Sequence, residues 1–253
     1  NIHAKGSYNR GPMSLAASGV THQGRRSTNE DTWLVDLDLG LLVVADGMGG
    51  HNAGEVASTL AVQVIREFLK SSGVPPTKAL LEEAVESANE RILNDAARYP
   101  DYAGMGTTVV AVIVSGDRVF YTSVGDSRLY LWHGGQLTQL TRDDSWLAEA
   151  LGEDEGLRSH NVGAHPMRHV LTRVVGLRPE LQAKAAEYTF DADDCLLLCS
   201  DGVHGVVPPE TLADILGSEH NVADIAQGVV RSAIARGATD NATVVVARLA
   251  GSR

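Results

Sequence analysis

Two stretches of this chain end the same way. Leu41-Leu42-Val43-Val44-Ala45 runs into Asp46-Gly47, and Leu196-Leu197-Leu198-Cys199-Ser200 runs into Asp201-Gly202. A near-continuous apolar run is the pattern of a strand covered on both faces, so structure must be layered on each side of it. Each run delivers a carboxylate at its mouth, and the glycine behind it is expected to let the backbone turn sharply. A third acid, Asp240, stands just before the apolar strand Thr243 to Val246. Carboxylates aimed at one place from several strand ends repel one another unless a cation lies between them. The pattern points to a carboxylate-held, two-metal hydrolase.

The rest of the chain fits such a layered fold. Its 253 residues are 43% hydrophobic and 21% charged, enough for one sizeable core. Val56, Ala57, Leu60, Ala61, Val64, Ile65 and Phe68 repeat at helical spacing, and Gly73 with Pro75-Pro76 ends that helix. Thr77 is placed to cap a second helix carrying Leu80, Leu81, Ala84, Val85, Ala88, Ile92 and Leu93. Residues 107–140 read as an antiparallel meander broken at Ser115-Gly116-Asp117, Gly125-Asp126-Ser127 and His133-Gly134-Gly135. From Thr141 to about Glu180 regular signals fade, apart from a short helix near Trp146 to Leu151. Strands resume at Ala185 to Phe190 and Cys195 to Ser200, and Asn221 caps a last helix before a closing strand. The expected fold class is α+β, with two packed antiparallel sheets and helices outside.

Composition excludes several functions. A net charge of -11 and a pI of about 5.2 would repel nucleic acid or an anionic membrane. No apolar run approaches the roughly 18 residues of a membrane span. The two cysteines, Cys195 and Cys199, share one face of a strand and read as core packing in a reducing, cytoplasmic compartment. Neither has an arginine six residues on, so neither reads as the nucleophile of a Cys-x5-Arg loop. Residues 1–12 are polar and aperiodic, and Gly11-Pro12-Met13 resembles a vector scar joined to a native start. That arm is set aside as an expression tag or disordered segment.

The acids fall at strand boundaries: Asn29-Glu30-Asp31, Asp46-Gly47, Gly125-Asp126-Ser127, Ser200-Asp201-Gly202 and Thr239-Asp240-Asn241. Hard oxygen donors without His/Cys pairs favour Mg²⁺ or Mn²⁺ over Zn²⁺. The glycines in Asp46-Gly47-Met48-Gly49-Gly50-His51 permit close backbone approach, but no Gly-Lys-Ser/Thr makes them a nucleotide loop. Arg26, four residues before Glu30, could grip a phosphate bidentately.

Read in order, Arg26, Asn29-Glu30-Asp31, Asp46-Gly47-Met48-Gly49-Gly50-His51, Gly106-Thr107-Thr108, Gly125-Asp126-Ser127-Arg128, Ser200-Asp201-Gly202 and Asp240-Asn241-Ala242-Thr243 resemble the metal-dependent protein phosphatases (PPM family, type 2C), in their bacterial form. The resemblance runs from Ser18 to Leu249. It implies a four-layer α-β-β-α sandwich, two antiparallel sheets flanked by helix pairs, in a single phosphatase domain over 13–253. It implies Mn²⁺ or Mg²⁺, two ions with a weaker third. Asp46 would bridge the pair, the Gly47 carbonyl would complete one site, and Asp201 with Asp240 the other. Asp126, with Asp201, would hold the third ion, and Glu30 and Asp31 would hold metal-bound waters. Arg26 would bind the substrate phosphate. The implied reaction is one-step hydrolysis of phosphoserine or phosphothreonine esters by a bridging hydroxide, without a phosphoenzyme.

Met48 stands where eukaryotic members often carry a histidine proposed as general acid. A metal-bound water is then the preferred donor, with His51 a weaker candidate. The irregular segment at about 141–180 matches the family's flap, and His165, Arg168 and Thr172 fall at its exit as candidate substrate contacts. The acids Asp143, Asp144, Glu149, Glu153, Asp154 and Glu155 would either repel acidic phosphopeptides or form a solvated loop. The expected partners are phosphoserine and phosphothreonine proteins of a bacterial Ser/Thr kinase circuit, met by a monomer in the cytoplasm with no nucleic acid and no membrane. The alternative is a catalytically silent phosphoprotein-binding module of the same fold. Asp46, Asp201 and Asp240, all present, argue against it.

Overall fold

A computed structural model describes residues 6–9, 13–50, 53–151, 167, 170–192, 194–218 and 221–251. The predicted site residues His51, His165 and Arg168 lie outside these.

The strands in chain order are β1 (Gly6–Asn9), β2 (Met13–His22), β3 (Asp31–Asp36), β4 (Leu41–Met48), β5 (Gly106–Thr107), β6 (Val109–Ser115), β7 (Arg118–Val124), β8 (Arg128–His133), β9 (Gln136–Gln139), β10 (Ala185–Thr189), β11 (Cys195–Cys199) and β12 (Ala242–Gly251). The helices are α1 (Ala53–Ser72), α2 (Lys78–Arg98), α3 (Trp146–Leu151), α4 (Asp201–His204), α5 (Pro209–Ser218) and α6 (Val222–Ala235). One sheet runs β1-β2-β12-β11-β8-β9 and the other β10-β7-β6-β4-β3, with β5 pairing the end of β4. All of these strand pairs are antiparallel. Gly6–Asn9, set aside in the sequence reading, pairs with β2 at the edge of the first sheet.

Alternation along the apolar runs builds four layers. Leu41, Val43 and Ala45 point into a cluster formed with α1 and α2, whereas Leu42 and Val44 point between the sheets. Cys195, Leu197 and Cys199 likewise face α5 and α6, while Leu196 and Leu198 meet Leu42 and Val44 in the central layer. Each of these fully buried Leu or Val side chains contributes on the order of 1.5–3 kcal/mol. Both thiols are free and buried; burial pushes Cys195 up to about 11 and Cys199 up to about 12, so neither is a nucleophile at neutral pH. The predicted caps form: Thr77 Oγ1 accepts from Leu80 N at 3.1 Å, and Asn221 Oδ1 accepts from Ala223 N at 2.9 Å.

The glycines of the two Asp-Gly pairs serve a different purpose from the one expected. β4 does not turn at Gly47; it runs on to Met48, and Gly47 pairs with Thr107. A Cβ on Gly47 would meet the Gly54 carbonyl oxygen at 2.0 Å and the Glu30 carbonyl oxygen at 2.7 Å. A Cβ on Gly202 would meet the Asn241 carbonyl oxygen at 2.0 Å. Both glycines let two backbones touch beside an aspartate.

Candidate active site

Antiparallel register brings the acids together. Asp31 opens β3 directly across from Asp46 on β4, joining two of them in one sheet. In the other sheet β11 ends at Cys199, so Ser200 and Asp201 emerge beside Asp240, which precedes β12. The Gly125-Asp126-Ser127 turn between β7 and β8 enters at the same end. Arg26, Glu30, Asp46, Asp126, Asp201 and Asp240 line a single cavity of about 760 Å³.

Backbone and hydroxyl contacts position several of these acids. Asp46 N donates to Thr108 Oγ1 at 3.0 Å, and its carbonyl accepts from Thr108 N at 2.8 Å and Thr107 Oγ1 at 2.9 Å. Thr108 and Ser127 share a 2.7 Å hydroxyl contact, joining that clamp to the Asp126 turn. The carbonyl of Asp126 meets His204 Nε2 at 2.9 Å. Buried Ser200 links the sheets: its hydroxyl donates to Asp31 Oδ2 at 2.8 Å and accepts from Thr243 N at 3.1 Å. Arg26 Nη2 donates to Asp240 Oδ2 at 2.6 Å.

Asn241 holds the loops of the site together, a task that its sequence does not announce. Its Oδ1 accepts from Glu30 N at 2.8 Å, and its Nδ2 donates to the Gln23 and Thr28 carbonyls at 2.9 and 3.0 Å. One amide thus pins the loop bearing Arg26 and Glu30 to the start of β12. The signal was only its adjacency to Asp240.

The acids are electrostatically frustrated. Burial, then Asp31, Asp201, Asp126 and Asp240, push Asp46 well above the usual carboxylate range. Burial, then Asp201 and Asp143, push Asp126 up to about 7. Burial raises Asp31 and Glu30 as well, with Arg26 partly opposing the rise at Glu30. Asp31 Oδ1 is buried with no hydrogen-bond partner among the described residues. Converging hard oxygens and an orphaned carboxylate oxygen fit a divalent cation with ordered water.

Asp240 holds one oxygen against Arg26. Among the described residues the group of three His, Cys, Asp or Glu side chains whose ligand atoms all lie within 4.8 Å of one another is His133, Asp191 and Asp194, at the opposite end of β11. There Asp194 Oδ1 meets His133 Nδ1 at 2.6 Å, and Oδ2 accepts from Tyr188 Oη at 3.0 Å and Asp191 N at 2.8 Å. Those contacts occupy the buried carboxylate and lock the turn into β11.

Of the flap acids, Glu153, Asp154 and Glu155 lie outside the described residues. Asp143 makes a bidentate pair with Arg128, and Asp144 pairs with Arg173, so both are structural rather than solvated or turned toward substrate. Thr172, a predicted substrate contact, lines a neighbouring cavity of about 380 Å³. The main cavity is walled instead by Val170, Leu171, Val174 and Leu177, none of which the sequence singled out for contact.

Two face-packed antiparallel sheets, helices outside and a carboxylate cavity at one end define the class of fold and site. Residues 18–236 match the family model described as Protein phosphatase 2C, and the chain belongs to that family. It is 35% identical over 210 residues to Serine/threonine phosphatase stp of Listeria welshimeri serovar 6b, covering 81% of this chain and 83% of that protein. It is 36% identical over 225 residues to Serine/threonine protein phosphatase PstP of Mycobacterium tuberculosis, covering 88% of this chain and 42% of that longer protein. The crystal structure of the PstP catalytic domain in complex with two manganese ions superposes with a TM-score of 0.84 at 35% identity, covering 94% of this chain and 99% of that one.

Proposed function

We propose that this chain is a protein serine/threonine phosphatase that hydrolyses phosphoserine and phosphothreonine esters in one step, without a phosphoenzyme. The observation that carries the reading is the arrival of Asp46, Asp126, Asp201 and Asp240 from both sheets in one cavity, with Arg26 at its rim. Names of relatives that are Ser/Thr phosphatases support the substrate class.

In this reading Asp46, the Gly47 carbonyl, Asp201 and Asp240 hold two Mn²⁺ or Mg²⁺ ions, and Asp126 with Asp201 a weaker third. When bound, the ions supply Lewis-acid activation of the attacking water and neutralise charge on the phosphoryl oxygens. Asp31 and Glu30 order water around the acids; the orphaned Asp31 Oδ1 supports that task. Arg26 receives the phosphate and stabilises its equatorial oxygens as the ester bond breaks. Met48 has no proton to give, so the leaving oxygen takes one from water in the cavity.

The substrates belong to a Ser/Thr kinase circuit, and the chain works as a monomeric signalling enzyme whose flap spans about 141–180. Two free, buried thiols suit a cytoplasmic setting. Among the described residues no helix is long and apolar enough to cross a membrane.

The test is phosphate release from p-nitrophenyl phosphate and a phosphothreonine peptide. EDTA abolishes it, Mn²⁺ restores it, and Asp46→Asn and Asp201→Asn each cost several orders of magnitude. Activity that survives full chelation contradicts the mechanism; binding of phosphopeptide without turnover in Mn²⁺ favours the silent-module alternative.

A further inference from the structure

Seven large hydrophobic side chains are exposed among the described residues, and three of them, Met48, Val170 and Leu177, line the acidic cavity. Val170 is 41% exposed and Leu177 42%, and both line the same cavity as Arg26, Glu30 and the aspartates. Apolar surface collected at a polar site marks a place where something apolar is received. A cavity of about 760 Å³ is also far larger than a phosphoryl group; it is the size that takes a drug-sized ligand, roughly 300–1,000 Å³.

The wall is built to hold its place. Asp144 Oδ2 accepts from Gly125 N at 3.1 Å and its Oδ1 accepts from Arg173 at 3.2 Å, while Arg173 also donates to the Leu181 and Gln182 carbonyls. Thr172 N donates to the Asp144 carbonyl at 2.9 Å, and Trp146 N to the Val170 carbonyl at 2.8 Å. The segment carrying Val170 and Leu177 is therefore strapped to the turn that carries Asp126. An apolar wall fixed in the cavity that the carboxylates line offers a second subsite.

We propose that the cavity selects phosphoserine or phosphothreonine with a large apolar residue next to it, and that Val170 and Leu177 receive that neighbour. The inference rests on the phosphatase reading and names the peptide class of the same site. A leucine beside the phosphorylated residue sheds water against the wall. An aspartate there loses hydration without gaining a partner, in a cavity already lined by Glu30, Asp46, Asp126, Asp201 and Asp240.

The experiment compares three phosphothreonine peptides that differ only in the flanking residue, Leu, Ala or Asp, with the wild-type chain in Mn²⁺. The expected kcat/KM is highest for Leu, about tenfold above Ala, and lowest for Asp. Val170→Ser combined with Leu177→Ser brings the Leu-to-Ala ratio down to about one to two, with the thermal melting profile as the check that the variant is folded. Equal efficiency on all three peptides, or a ratio that survives both substitutions, overturns the inference. Release from p-nitrophenyl phosphate and equally from every peptide removes this inference and leaves the phosphatase reading standing. Absence of Mn²⁺-dependent release from any substrate removes both.

Discussion

Arg26 Nη2 donates to Asp240 Oδ2 across 2.6 Å, tying the loop before β3 to the turn that leads into β12. The arginine side chain is 61% exposed, so the pair adds little stability, about 0–1 kcal/mol. Its effect is positional: it holds a guanidinium, always charged and forked, at the rim of a cavity floored by carboxylates.

Arg26→Ala therefore lowers kcat/KM for p-nitrophenyl phosphate by roughly 10–100-fold, the worth of a charged hydrogen bond, with little change in melting temperature. Arg26→Lys recovers only part of the loss, because an ammonium cannot present two parallel donors. Steady-state kinetics in saturating Mn²⁺ check both.

Ser200 is the hydroxyl between the sheets. Ser200→Ala leaves Asp31 Oδ2 without its donor and Thr243 N without its acceptor, beside an Asp31 Oδ1 that already lacks one. We expect a loss of about 1–3 kcal/mol in urea unfolding with EDTA present. The Mn²⁺ concentration for half-maximal activity rises as well, since Asp31 is no longer held.

Gly47→Ala places a methyl group 2.0 Å from the Gly54 carbonyl oxygen, where backbone must move. The variant is expected to unfold well below the wild-type temperature, whether or not metal is present. A scanning fluorimetry profile matching wild type contradicts the close-approach assignment.

The acidic cavity also predicts a pH signature in the metal-free protein. Asp126 ionises near 3.8 when unfolded and at about 7 in the fold. A raised acid binds more protons folded than unfolded, so its contribution is intact below pH 3.8 and is lost as pH rises through about 7. In EDTA, Asp126→Asn should thus stabilise the chain increasingly from pH 4 to pH 8. A variant whose melting temperature tracks wild type across that range contradicts the shift.

Much of this was legible in sequence because the signals are local. The apolar runs at Leu41 and Leu196, the stripes of α1 and α2 and the caps Thr77 and Asn221 each sit within a few residues. The short helix α5 escaped notice because only Leu212 and Leu216 are its buried residues, too few to show a period. The reason for Gly47 and Gly202 was hidden for a different cause: the atoms they must avoid lie on Gly54 and Asn241, brought near only by folding. The same holds for Asn241, which reaches Gln23 from 218 residues away, and for Asp144, whose partner Arg173 is 29 residues on. Motif order could suggest the aspartates, whereas the apolar wall of Val170 and Leu177 required the cavity.

That divalent ions sit among Asp46, Asp201 and Asp240 is tested most directly by anomalous diffraction from a crystal soaked in Mn²⁺. The expected map carries two strong manganese peaks between those carboxylates, with Arg26 no longer claiming Asp240 alone. Strong anomalous scattering elsewhere and none at these residues would contradict it.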